Sequence, residues 1–316
     1  MSQQTLAGFE KYGKTTRRAQ FLAEMDRVVP WGEIAAVIEP HYPKSGAEGG
    51  RPPIALEKML RIYFLQAWFN LSDPAVEEAL YDSAAMRSFV GIDLGSEPAP
   101  DETTVCKFRH RLEKHGLGKQ IFVAVNRYLK ENGLKVSTGT IVDATIISAP
   151  SSTKNKSGER DPEMHQTAKG KQWYFGMKAH IGVDSKTKLI HTILASAANV
   201  PDRDALPYLL HGQERCVWGD QGYQGQTAVM RRRAPKARDC TNRRYRYAGR
   251  VNEAEKARNR TKSQVRAKVE HVFRVIKCQF GYRKVRYRGL AKNAAQVFSL
   301  LALANLYLAR RTIASA

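Results

Sequence analysis

Residues 260–277 read RTKSQVRAKVEHVFRVIK. The run holds neither Gly nor Pro, so nothing in it breaks a helix. Val265, Val269, Val272 and Ile276 fall at i, i+4, i+7 and i+11, one apolar stripe of an amphipathic helix. Arg266, Glu270 and Lys277 form a polar row beside it, because four and eleven residues return a helix to nearly the same azimuth at ~3.6 residues per turn. One continuous helix is therefore expected, with a carboxylate set between two cations. Taken alone, such a row is an ordinary ion-pair face on a solvated helix.

Two other stretches change that reading. In Gly139–Ser148, GTIVDATIIS, β-branched residues flank Asp143 on both sides, which predicts a buried strand. An Asp there is costly unless it is paired or ligates a cation. In Val217–Gly225, VWGDQGYQG, a short apolar strand over 216–218 runs out at Asp220, and Gly219, Gly222 and Gly225 permit a tight turn. Ligands gather at such strand ends in open α/β sheets. Two strand carboxylates and one helix carboxylate suit hard divalent cations, which take oxygen ligands. A pair of ions ~4 Å apart can clamp the attacking and leaving oxygens of a phosphodiester.

The chain resembles the DDE transposases of bacterial insertion sequences, specifically the insertion-sequence-five group. The segments that carry the resemblance are VDATIISAP around Asp143, WYFGMKAHIGVD from Trp173, GDQGYQG around Asp220 and the helix of Arg266, Glu270 and Lys277. RPPIALEKMLRIYFLQAWFNLSDPAVEEALYD and PDETTVCKFRHRLEKHGL extend it through the N-terminal half, so that it runs from about Gly8 to about Leu308. The related insertion-sequence-four signature has Tyr, Arg, Glu and Lys in this order; here Ser263 stands at the Tyr position. The resemblance implies a ribonuclease H-like core and a catalytic, metal-binding triad of Asp143, Asp220 and Glu270. It implies two Mg²⁺ ions, with Mn²⁺ as a substitute, and Asp143 touching both. Arg266 and Lys277 are then expected to hold DNA phosphate near the triad. The implied substrates are double-stranded terminal inverted repeats and target DNA. Pairing two element ends asks for a homodimer in the DNA complex. A catalytically decayed DNA-binding protein and a ribonuclease H-like nuclease without strand transfer are the alternatives.

Composition agrees with a polyanionic partner. Lys plus Arg is 52 against 30 acids, a net charge of +22 in 316 residues, and the excess is clustered. The longest apolar run, Val297 to Ala309, is too short to span a bilayer, so no membrane partner is expected and the setting is read as cytoplasmic, bacterial and DNA-associated. Cys106, Cys216, Cys240 and Cys278 form no zinc or disulfide spacing, and three of them are expected as buried thiols.

The expected organisation is α+β or α/β. Residues 1–136 form a helical, helix-turn-helix-like DNA-binding region, 137–290 the catalytic core with a basic insert at 227–262, and 291–316 a C-terminal helix. In the first part, helices are expected over 15–41, Leu56 to Asn70, Ala75 to Asp82 with Ser72 as cap, and from Asp101 to about Lys114. The last of these carries Lys107, Arg109 and Arg111, taken as DNA contacts. Residues 151–172 are polar without period and are expected as a long loop. Tyr174 to Val183 and Leu189 to Ala195 predict a hairpin, with Asp184 as a turn residue, and Asp202 to Leu210 a short helix. Residues 231–262 hold thirteen Lys or Arg and three acids, with Tyr245 and Tyr247 interleaved in RRYRYAGR. Arg243, Arg244, Arg246 and both tyrosines are the expected DNA-backbone clamp. The apolar stretch Ala294 to Leu308 is a buried helix, for which closure of the core and a dimer interface both remain open.

Overall fold

The computed structural model describes residues 14–44, 52–134, 139–156 and 158–314. Its N-terminal part consists of helices α1 (Arg17–Val28), α2 (Trp31–Ile38), α3 (Leu56–Phe69), α4 (Asp73–Asp82), α5 (Ala84–Val90), α6 (Glu102–Lys114) and α7 (Leu117–Glu131). Short polar residues start several of them. Thr16, Ser72, Ser83 and Asp101 each accept a first-turn backbone N–H, from Ala19, Ala75, Met86 and Thr104. The apolar stripes meet in one core around Met25, Ile34, Phe64 and Trp68. α5 and α7 were not expected from the sequence.

Strands β1 (Gly139–Ser148), β2 (His165–Lys169), β3 (Gln172–Asp184), β4 (Ile190–Ala197), β5 (Cys216–Trp218) and β6 (Arg238–Asp239) make a mixed sheet. β4, β3 and β1 are antiparallel neighbours, and β5 and β6 add on parallel to β1. Helix α8 (Asp202–Leu209) returns the chain from β4 to β5 and packs on one face through Leu206 and Leu209, beside Val142 and Val217. The sheet's other face meets Val269, Val272 and Ile276, three members of the stripe read from the sequence.

Three expectations need correction. Residues 151–172 are not all loop: β2 pairs with the first part of β3, from His165 opposite Gly176 to Lys169 opposite Gln172. Polar residues hide this strand because both its faces are largely in water. The helix around Glu270 is not continuous either. Beyond α9 (Thr227–Arg233), α10 (Glu253–Arg266) passes through a 3₁₀ turn, Ala267–Val269, into α11 (Glu270–Arg274) and a π-helical turn, Val275–Gln279. Side-chain periodicity does not report such changes in backbone winding. The cysteines are not buried: Cys106, Cys216 and Cys240 are half-exposed and Cys278 is exposed.

The last helix, α12 (Leu290–Ala314), is long and apolar enough to cross a membrane by length and composition. In this fold it is enclosed by α7, α1 and β4. A Cβ on Gly118 of α7 would stand 2.5 Å from the Ala295 carbonyl oxygen, so the two helices approach at backbone distance. Asn305 ties α12 to the sheet, accepting from the Ile190 N–H at 2.8 Å and donating to the Ile190 carbonyl at 2.7 Å. Within this chain α12 therefore packs on the core through α7, α1 and β4.

Candidate active site

β1 pairs with β5 only over residues 139–141, so its edge is free of β5 from Val142 onward. Asp143 lies where this edge opens, 8% exposed. Its Oδ1 accepts the Ala144 N–H at 2.8 Å and its Oδ2 accepts from the Arg266 guanidinium at 3.0 Å. Burial pushes the Asp143 carboxyl up to about 7; Arg266 and the Ala144 N–H oppose the shift, while Asp220 and Glu270 add to it.

Asp220 follows β5 and starts the 3₁₀ turn Gln221–Tyr223, accepting the Gly222 N–H at 2.8 Å. Glycine is required just before it. A Cβ on Gly219 would stand 2.9 Å from the Tyr223 ring and 3.1 Å from Val142. Glu270, at the start of α11, reaches the same cleft from the opposite wall, and its Oε1 accepts from Arg266 at 3.3 Å. Asp143, Asp220 and Glu270 therefore share one open cleft of about 1090 Å³.

Arg266, the last residue of α10, bridges Asp143 and Glu270 with its two terminal nitrogens. Lys277 is half-buried on the π-helical turn and donates to the Ile146 carbonyl on the free edge of β1 at 2.8 Å. Burial, then Lys169 and Arg283, hold its pKa below the usual lysine value. Both cations line the cleft, each already engaged by the protein. Ser263 accepts from Asn242 of the insert at 2.9 Å.

Three oxygen-donor carboxylates around one cleft match the chemistry of a hard divalent cation, and the buried Asp143 needs a positive partner. Among the described residues, however, no three Asp, Glu, His or Cys side chains stand close enough to enclose an ion. The guanidinium of Arg266 occupies the place between two of the acids, so cation binding requires it to release at least one.

The cleft also contains residues the sequence reading passed over. Lys178 donates to Asp202 and to the Val200 carbonyl, both at 2.9 Å, pinning the start of α8 to β3. A lysine inside an otherwise apolar strand was the available signal, since such a cation needs a partner. Behind the cleft wall, under the turn that carries Asp220, Tyr223 is fully buried, and its hydroxyl has no hydrogen-bond partner among the described residues. Asp184 is a turn residue, as expected, accepting the Lys186 and Thr187 N–H groups.

The expected DNA contacts separate. Arg109 is withdrawn from that set: it is 7% exposed and paired with Asp73 and Glu113, each at 2.9 Å. It lies on the inner face of α6 with Val105, Phe108 and Leu112, a consequence of helix phase that a count of cations does not show. Lys107 is exposed, and Arg111 is half-buried and donates to the His41 carbonyl. In the insert, Arg243, Arg244, Arg246 and Tyr247 are exposed and Tyr245 is half-buried. There β7 (Arg246–Tyr247) and β8 (Arg250–Val251) form a hairpin ahead of α10.

A family profile described as "Transposase DDE domain" matches residues 135–306, and one described as "Transposase domain (DUF772)" matches residues 10–111. Among solved structures, the piggyBac transposase synaptic complex with hairpin DNA aligns with a TM-score of 0.49 at 10% identity, over 94% of this chain and 75% of that one. With more than half of its length matched by the first profile, and with acidic residues from β1, the turn after β5 and α11 lining one cleft, this chain belongs to the transposase DDE domain family.

Proposed function

We propose that this chain is an insertion-sequence transposase that binds terminal inverted repeats, cleaves the element ends and joins the freed 3′-hydroxyl to target DNA. The observation that carries the reading is the convergence of Asp143, Asp220 and Glu270 on a single cleft from three separate elements. The strand order β4-β3-β1-β5-β6, with a helix between β4 and β5, supports a ribonuclease H-like core. We assign Asp143, Asp220 and Glu270 as the residues that hold two Mg²⁺ ions. Bound there, the ions would polarise the phosphodiester and activate the attacking hydroxyl. The rest of the work belongs to the protein. Asp143, within β1 and paired opposite Ile181, and Asp220, in the tight turn after β5, are held by backbone pairing, which fixes the position of the reacting phosphate. Arg266, once released from the two acids, is positioned to pair with a phosphate oxygen. Lys277 holds the free edge of β1 through Ile146 and adds positive charge to the same wall. Lys107, Arg111 and the exposed arginines of the insert supply a wider phosphate-binding surface. Dimer formation, which the pairing of two ends requires, is part of the proposal.

The test is cleavage of a labelled linear element end by the purified protein with Mg²⁺, with EDTA, and by the Glu270→Gln variant with Mg²⁺. Nicking at the end only in the first reaction, with DNA binding kept in all three, is expected. Binding of a verified end without cleavage would instead favour a catalytically decayed DNA-binding protein, and cleavage without joining a nuclease.

A further inference from the structure

The chain has four tryptophans, and one of them stands apart. Trp68 is 2% exposed and Trp31 and Trp218 are half-buried, whereas Trp173 is 70% exposed, the highest value among the exposed large apolar residues. It lies at the tip of the arm formed by β2 and the start of β3, opposite Ala168. Nothing in the fold of this chain requires an indole there. The arm is part of the cleft wall: Thr167, Lys169 and Tyr174 line the same cavity as the three acids.

The charge on this segment is arranged to face outward as positive. Of the acids between residues 151 and 173, Asp161 accepts the Gly289 N–H at 2.7 Å and Glu163 accepts the Leu290 N–H, so both are turned onto the start of α12. Glu159 then stands against exposed Lys154, Lys156, Arg160, Lys169 and Lys171. An exposed indole among lysines, beside a cleft lined with acids, combines the two elements of single-strand recognition. The aromatic face takes a base of any sequence, and the cations take its phosphates.

We propose that the β2–β3 arm is a DNA-contacting surface distinct from the basic insert, and that Trp173 stacks on an unpaired nucleotide of the DNA end lying in the cleft. The assignment rests on the transposase reading of that cleft. Lys169 and Lys171 grip the flanking phosphates, and no covalent step is involved. Because the indole is exposed, its replacement leaves the apolar core intact.

The experiment uses the full chain and two probes, a duplex with an unpaired 3′ extension and the same duplex fully paired. Acrylamide quenching of intrinsic fluorescence, with Trp173→Phe as the subtraction, isolates the Trp173 signal. Saturating extended duplex should lower its quenching constant several-fold. Trp173→Ala should bind the extended duplex roughly tenfold or more weakly, the size of one base-stacking contact, and the paired duplex within about twofold. Unchanged quenching at saturation, or equal loss on both duplexes, would overturn the stacking assignment while leaving the transposase reading in place. A wild-type protein that binds neither duplex would instead overturn the transposase reading itself.

Discussion

Arg109 belongs to the basic helix α6 by sequence and to the protein interior by structure, and its replacement separates the two roles. Its guanidinium pairs with Asp73 and Glu113 at 2.9 Å, with side-chain exposures of 8%, 17% and 13% for the three groups. It also lies 4.1 Å from the centre of the Tyr287 ring. Arg286, beside Tyr287, donates to the Asn70 and Leu71 carbonyls at the end of α3. The cluster thus joins α4, α6 and the segment that follows the π-helical turn. Arg109→Met keeps much of the stem but leaves two carboxylates without their cation, at a cost of roughly 3–5 kcal/mol. With about 2–4 °C per kcal/mol for a chain of this order of size, the unfolding midpoint should fall by roughly 6–20 °C. Burial alone would raise the Asp73 pKa, but hydrogen bonds from Arg109 and Gln66 outweigh it and hold the group below its ordinary value. A depressed carboxylate contributes stability above its unfolded pKa, near 3.9, and loses it as the pH falls through the folded value. The gap between wild type and variant should therefore narrow below about pH 4. Urea and thermal unfolding followed by circular dichroism measure both quantities, and Asp73→Asn in the same background tests the pairing. A variant with unchanged stability but weakened DNA binding would refute this account and return Arg109 to the DNA-contact set.

Glu270→Gln should abolish end cleavage while leaving the unfolding midpoint within about 1 °C, because its side chain is 59% exposed and its partner Arg266 retains Asp143. Asp143→Asn should grow in stability relative to wild type between about pH 4 and about pH 7 and level off above that. A carboxyl with its folded pKa raised to about 7 contributes stability below the unfolded value and loses it as the pH rises through the folded one; parallel pH–stability curves would count against this. Gly219→Ala forces a Cβ to 2.9 Å from the Tyr223 ring and should cost roughly 1–3 kcal/mol, with cleavage falling further than stability explains because Asp220 is the next residue. Neutralising Arg243, Arg244 and Arg246 together should reduce the slope of log binding constant against log salt by roughly 2–3; an unchanged slope would remove the insert from the DNA-binding surface.

Much of the site was legible in the chain itself. A strand of β-branched residues around an Asp has few inexpensive explanations, and β1 extends from Gly139 to Ser148 as its pattern indicated. The three-residue strand before Asp220 and the apolar stripe beneath Glu270 were equally readable, since both come from local alternation and period. Arg266 could be assigned to the Glu270 face because a helix sets that neighbour by geometry alone.

What local pattern could not carry were contacts between segments far apart in the chain. Arg109 and Lys107 are both cations of one helix, and only the packing of α6 against α4 decides which of them reaches solvent. β2 has little apolar content because it leans on β3 at the margin of the sheet, so its pairing is visible only once β3 is in place. The link from Arg266 to Asp143 spans 123 positions and that from Lys277 to Ile146 spans 131. Sequence by itself determined β1, β5 and the helical stretch beneath Glu270, and which acids they carry, because propensity and periodicity act over a few residues. The tertiary structure alone decided which charges face the cleft, which are spent on one another, and that an indole stands exposed beside the acids, because burial and long-range pairing arise only when distant segments meet.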